Sequence, residues 1–226
     1  MIRRATASGV NARSYHNLSG ADAYYERGNA RFELGDKQGA LDDYNRALCF
    51  RPNDADTYYN RGNARFELGD KQGALDDYTQ ALALEPSFVE AHVNRGNAHF
   101  ELGDKQGALD DYTQALCFRP NDADTYYNRG NARFELGDKQ GAFEDYTRAL
   151  ALEPSFVEAY VNRGNAYFEL GDKQGALEDY SKALYFRPSD SVAYYNRASV
   201  YFELGYGEKS VWDLKRAISL KFHTAL

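Results

Sequence analysis

An all-α array of six stacked helical hairpins is the fold class this 226-residue sequence predicts, on three observations. Its five prolines, Pro52, Pro86, Pro120, Pro154 and Pro188, lie 34 residues apart. Arg-Gly-Asn-Ala recurs on the same period from positions 27, 61, 95, 129 and 163, and Glu-Leu-Gly from 33, 67, 101, 135, 169 and 203. Between these marks the chain is free of proline and places apolar residues at helical spacing. A second period lies above the first: residues 53–120 match residues 121–188 at all but nine positions, as a tandem duplication would leave them. Identity between units is therefore weak evidence of selection.

The elements follow from one unit, residues 55–88. Ala55 to Leu68 carries no proline and closes on Gly69-Asp70, where glycine suits a left-handed helix end and aspartate the next N-cap. From Lys71 onward, Ala74, Leu75, Tyr78, Ala81 and Leu82 fall on one helical face until Pro86 ends the segment. Two antiparallel helices joined by a tight turn result. Gly62, Ala64, Ala74 and Ala81 allow close approach, with Tyr58, Leu68, Leu75, Tyr78 and Leu82 expected to fill the space between. One hairpin cannot bury its own apolar surface, so stacking of successive units must do so. Residues 1–20, basic through Arg3, Arg4 and Arg13, are expected to form a disordered tail. Residues 21–224 then divide into six units, 21–54, 55–88, 89–122, 123–156, 157–190 and 191–224. The last is expected to be a C-terminal cap, since Ala198, Ser199 and Leu214 replace residues constant elsewhere and Trp212 joins them.

The unit length, the hairpin pattern and Tyr58, Gly62, Ala74, Tyr78, Ala81 and Pro86 at their offsets resemble the tetratricopeptide repeat, over about nine-tenths of the chain. The resemblance implies a right-handed α-α superhelix and a non-enzymatic protein-protein interaction scaffold. Arg61, Arg65 and Gly73 depart from the usual family pattern. Each arginine of the series 27, 61, 95, 129, 163 and 197 shares its unit with an aspartate, at 43, 77, 111, 145, 179 and 213, and an ion pair between the two helices is expected.

Residues 56, 59, 60, 63, 66 and 67 share one helical stripe, and in this family that stripe looks into the concave groove. It yields two asparagine ladders, Asn60, Asn94, Asn128, Asn162 and Asn196 beside Asn29, Asn63, Asn97, Asn131 and Asn165. Asparagine is a poor helix former, and an amide offers both a donor and an acceptor for the backbone of an extended peptide. Peptide contact is expected at Asn60, Asn63, Asn94, Asn97, Asn128, Asn131, Asn162 and Asn165. For the inner ladder of Asn63, bridging between helices is an equal alternative. Tyr59, Tyr127, Phe66, Phe100 and Phe134 are the candidate aromatic contacts. Glu67 and Glu101, with Asp56, Glu90, Asp124, Glu135, Glu158 and Glu169, would make the groove negative and favour a neutral or basic peptide. Family members that hold acidic chaperone tails use Lys and Arg on this stripe, so no carboxylate clamp is expected.

Composition and motifs narrow the alternatives. With 43% hydrophobic and 27% charged residues and a net charge of −7, the chain is of ordinary globular make-up, and phosphate-backbone binding is disfavoured. No apolar run reaches the length needed to cross a bilayer. Two cysteines at matching places, Cys49 and Cys117, point to a reducing, cytoplasmic setting instead of a disulfide framework. His92 and His99, seven apart, lack further ligands and are expected in the core or an interface, so no metal, cofactor or catalytic residue is predicted. A homo-oligomer built through the terminal repeats or the N-terminal tail is the second reading, because terminal repeats leave open ends.

Overall fold

The computed structural model describes the backbone of residues 20–223 and the side chains of residues 20–221. The basic tail therefore lies, but for Gly20, outside the described residues. Twelve helices and no strand occur among them: α1 (Gly20–Glu33), α2 (Lys37–Phe50), α3 (Ala55–Glu67), α4 (Lys71–Leu84), α5 (Val89–Glu101), α6 (Lys105–Phe118), α7 (Ala123–Glu135), α8 (Lys139–Leu152), α9 (Val157–Glu169), α10 (Lys173–Phe186), α11 (Ser191–Glu203) and α12 (Gly207–His223). They pair in chain order into six hairpins. Three form one compact unit ending at Phe118, and three form a second from Arg119.

Each turn is built as its sequence dictates. Gly69 sits at φ +87, and Asp70 caps α4 by accepting from the Gly73 amide. A Cβ at Gly73 would stand 2.1 Å from the Asp70 carboxylate, so the glycine inside the second helix is there to admit the cap. First helices start in two ways. Asp54, Asp122 and Asp190 cap α3, α7 and α11, whereas Phe88 and Phe156 precede α5 and α9 without a side-chain cap. Phe88 is instead buried, its ring 4.8 Å from that of Tyr59. Packing there stands in place of a hydrogen bond.

Alanines at the crossing points are fully buried, among them Ala64, Ala74, Ala81 and Ala98. Tyr44, Tyr78, Tyr112, Tyr146 and Tyr180 are the large core side chains of the first five hairpins. Each ring lies flat enough on a first-helix glycine that an added Cβ on Gly28, Gly62, Gly96, Gly130 or Gly164 would meet it at 2.7 Å. The last hairpin changes both partners together: Ala198 stands where the glycine was and Leu214 where the tyrosine was. Leu68 does not fill the interhelical space as expected. It is the C-cap residue of α3 and is 45% exposed, because the helix ends before it can turn inward.

In all six hairpins the arginine grips its aspartate bidentately, at 2.6–2.9 Å. The carboxylates are buried, Asp77 at 2% exposure, while the guanidiniums stay partly solvated. Arg65 adds a second cation to Asp77 at 3.0 Å, which explains the arginine at that departure from the family pattern. In the third hairpin, His92 and His99 take the neighbouring places. His92 Nδ1 lies 3.4 Å from Asp111 and Nε2 3.0 Å from the Pro86 carbonyl, and His99 Nδ1 lies 2.8 Å from Asp104.

Two outcomes follow. Asp77→Ala leaves two guanidiniums without their buried partner and lowers stability by about 3 kcal/mol in urea denaturation, whereas an unchanged midpoint contradicts a structural role for the pair. Gly130→Ala alone lowers the melting temperature because its Cβ strikes Tyr146, and adding Tyr146→Leu with Asn131→Ser restores much of the loss by copying the last hairpin. Simple additivity of these changes in calorimetry contradicts the shared contact.

Candidate functional site

The asparagines of the first helices emerge on the stripe expected of them, but they face one another before they face solvent. Asn94 Nδ2 donates to Asn63 Oδ1 at 2.9 Å and to the Tyr59 hydroxyl at 3.1 Å. Asn63 Oδ1 also accepts from the Tyr78 hydroxyl at 2.9 Å. The same set recurs at Asn60, Asn29, Tyr25 and Tyr44, and at Asn162, Asn131, Tyr127 and Tyr146. Asn196 to Asn165 keeps the rung without the outer tyrosine, since Val161 stands in its place. Within each unit, then, the inner ladder bridges helices, and both ladders are parts of one network.

At the Asn63–Asn94 rung half of each amide is used this way and half is left. Among the described residues no hydrogen bond takes Asn63 Nδ2 or Asn94 Oδ1. One amide donor and one carbonyl acceptor remain at this rung, the pair an extended backbone can engage, whereas the Asn29 and Asn131 amides also reach the Tyr25 and Tyr127 hydroxyls. Burial drives the core tyrosine hydroxyls well above the ordinary phenol range, most at Tyr78 and Tyr146, so these groups stay protonated donors at neutral pH. Tyr127 is shifted the same way for the same reason.

A cleft of about 220 Å³ opens over this network in the first unit, lined by Phe32, Tyr59, Asn63, Phe66, Glu67, Tyr78, Asn94 and Asn97. Five of these lining residues, Asn63, Asn94, Asn97, Phe66 and Glu67, are expected peptide contacts that stay half-buried or exposed. Tyr59 lines the cleft from within the core. It is 7% exposed, its ring packed between Tyr78 and Phe88, so it contributes a hydroxyl to the network and not an aromatic platform. Tyr127 packs likewise against Tyr146 and Phe156. Asn128, on α7, is half-buried.

The lysine that opens the second helix of the first five hairpins was missed by reading the stripe alone. Lys105 Nζ sits 3.3 Å above the Phe100 ring and Lys139 Nζ 3.4 Å above Phe134, each also donating to the phenylalanine carbonyl. These cation–π contacts cover two of the expected aromatic contacts. Lys71 instead pairs with Glu101, which leaves Phe66 open to the cleft and takes Glu101 out of the free acidic stripe. Arg51 pairs with Asp22 and Arg187 with Glu158 in the same sense. The stripe is thus less negative than its acids alone imply, with Glu67 the acid in the cleft itself. The spacing of 30 residues between Lys71 and Glu101 was available in sequence as a signal, as was the 15 from Asn63 to Tyr78.

No helix among the described residues is long and apolar enough to cross a membrane, and no group of three or more His, Cys, Asp or Glu there is arranged to hold a metal.

Comparison with known proteins identifies the fold. A search of curated protein sequences returned no match. A crystal structure of MamA aligns at 27% identity and TM-score 0.70, covering 73% of this chain and 96% of that one. The crystal structure of YrrB, described as a TPR protein with an unusual peptide-binding site, aligns at 25% identity and TM-score 0.68, covering 78% of this chain and 91% of that one. A tetratricopeptide repeat protein from Parabacteroides merdae ATCC 43184 shares the fold at TM-score 0.78 and 23% identity, covering 88% of this chain and 79% of that one. The family model described as "TPR repeat" matches residues 28–69, 62–103, 96–137, 130–171 and 164–205, and that described as "Tetratricopeptide repeat" matches residues 191–224. With these matches spanning nearly every described helix, the chain belongs to the tetratricopeptide repeat family and has its all-α fold.

Proposed function

We propose that this chain is a non-enzymatic interaction scaffold that holds an extended peptide segment along its asparagine network, gripping the backbone more than the side chains. The observation that carries the reading is the unspent half of the Asn63–Asn94 rung, a donor from Asn63 and an acceptor from Asn94 opening on one cleft. The similarity to YrrB, whose structure is described by its peptide-binding site, supports the same use of the fold. Phe66 supplies apolar surface beside the rung, and Glu67 favours a neutral or basic segment over an acidic chaperone tail. Asn60, Asn97, Asn128, Asn131, Asn162 and Asn165 would extend the grip along the array.

Backbone recognition has a direct test. Peptides selected on the wild-type protein from a display library are resynthesised with single N-methylations and, separately, single alanines. N-methylation at alternate residues weakens binding by about tenfold or more, because each removes a donor to an asparagine carbonyl, and the Asn63→Ala/Asn94→Ala variant loses the same affinity while staying helical. Binding that ignores N-methylation but collapses on one alanine contradicts the grip.

A further inference from the structure

Successive hairpins within each unit are joined by a polar contact that reaches back from a first helix to the second helix before it. Arg61 donates to Asn45 at 2.8 Å, Arg95 to Thr79 at 3.4 Å, Arg163 to Thr147 at 3.3 Å and Arg197 to Ser181 at 3.0 Å. The acceptor is always a small neutral side chain. Apolar residues flank it and are closed over by the incoming helix: around Ser181, Leu177 is 9% exposed and Leu184 7%.

The same three positions of α12 hold Val211, Lys215 and Ile218. Val211 is 50% exposed and Ile218 54%, so the apolar part of a stacking face persists with nothing on it among the described residues. Its polar acceptor has become a cation. At the other end of the chain, α1 leaves Ala23 and Ala30 exposed where Thr57 and Ala64 are buried in α3, and its Arg27 side chain is 50% exposed against 16% for Arg61. A second copy stacking by α1 on α12 in the register of the internal junctions would bring Arg27 onto Lys215, two like charges inside a closing apolar contact. Juxtaposition of that kind works against association.

We propose that the Val211–Lys215–Ile218 face of α12 docks an amphipathic helix of another protein that carries a carboxylate where the repeats carry arginine, and that Lys215 excludes further copies of this chain. The register is that of the internal junctions, and the charge of the partner is set by Lys215, with Lys209, Arg216 and Lys221 on the same helix outnumbering Glu208 of its first turn. Asp213, the acid at the centre of α12, is already taken by Arg197. This surface is separate from the peptide cleft and stands or falls apart from it.

A charge swap tests it with two synthetic probes, a labelled peptide of residues 190–206 and the same peptide carrying Arg197→Glu, each titrated by fluorescence anisotropy against the wild-type chain and against Lys215→Glu. The wild type prefers the Arg197→Glu peptide by about tenfold and Lys215→Glu prefers the parent peptide, both proteins melting alike because Lys215 is exposed. In sedimentation equilibrium the wild type keeps its monomer mass while Lys215→Glu gains mass with concentration. The same peptide preference in both proteins, binding in none of the four combinations, or equal masses for the two chains overturns the proposal.

Discussion

A tyrosine with its ring on a glycine and its hydroxyl on an asparagine is the contact on which the rest of this molecule depends. In each of the first five hairpins the ring sets how closely the two helices approach, since the glycine it lies on has no room for even one methyl group. The hydroxyl, buried with the ring, must find an acceptor, and it finds the inner asparagine. That fixes the asparagine carbonyl, which in turn orients the next asparagine of the outer ladder within each unit. Core packing and the polar surface of the cleft are thereby one mechanism. The last hairpin supports the linkage from the opposite direction: Gly, Asn and Tyr become Ala198, Ser199 and Leu214 together, and the hydrogen bond disappears along with the crowding.

Beside this node stands the arginine–aspartate pair, which holds the two helices of every hairpin, the last included. Its cation does double duty, with one edge on the buried carboxylate and, at most of the described junctions, the other nitrogen on the preceding hairpin. A single side chain thus links the inside of one hairpin to the stacking of two. At α12 the place of Ser181 is taken by Lys215, while the ion pair beneath, Arg197 on Asp213, is the same as in the other hairpins.

Much of this was legible in the sequence because repetition exposes it. Proline, Gly-Asp and the apolar spacing locate helices and turns through local chemistry that does not depend on distant residues. The arginine–aspartate pairs could be read because both members recur on one period in all six hairpins, whereas the second arginine on the same aspartates, at 31, 65 and 133, recurs in only three. What escaped is of another kind. A helical stripe tells which way Asn63 and Asn94 point but not that their amides meet, since this depends on the distance between neighbouring hairpins. It cannot separate Tyr59 from an exposed aromatic either, because the stripe's edge coincides with the edge of the core. The lysines over Phe100 and Phe134 come from the next helix and were invisible to a reading of one helix at a time.

The central claim is that the Asn63–Asn94 rung spends one half of its amide chemistry internally and keeps the other half for a ligand. Side-chain amide hydrogen exchange measured by NMR on asparagine-labelled protein, without ligand, addresses it most directly. The account predicts slowed exchange for the Nδ2 protons of Asn60, Asn94, Asn162 and Asn196, and exchange near that of free asparagine for Asn63 and Asn165. Uniformly fast exchange in both sets, or protection of the inner set instead, would contradict it.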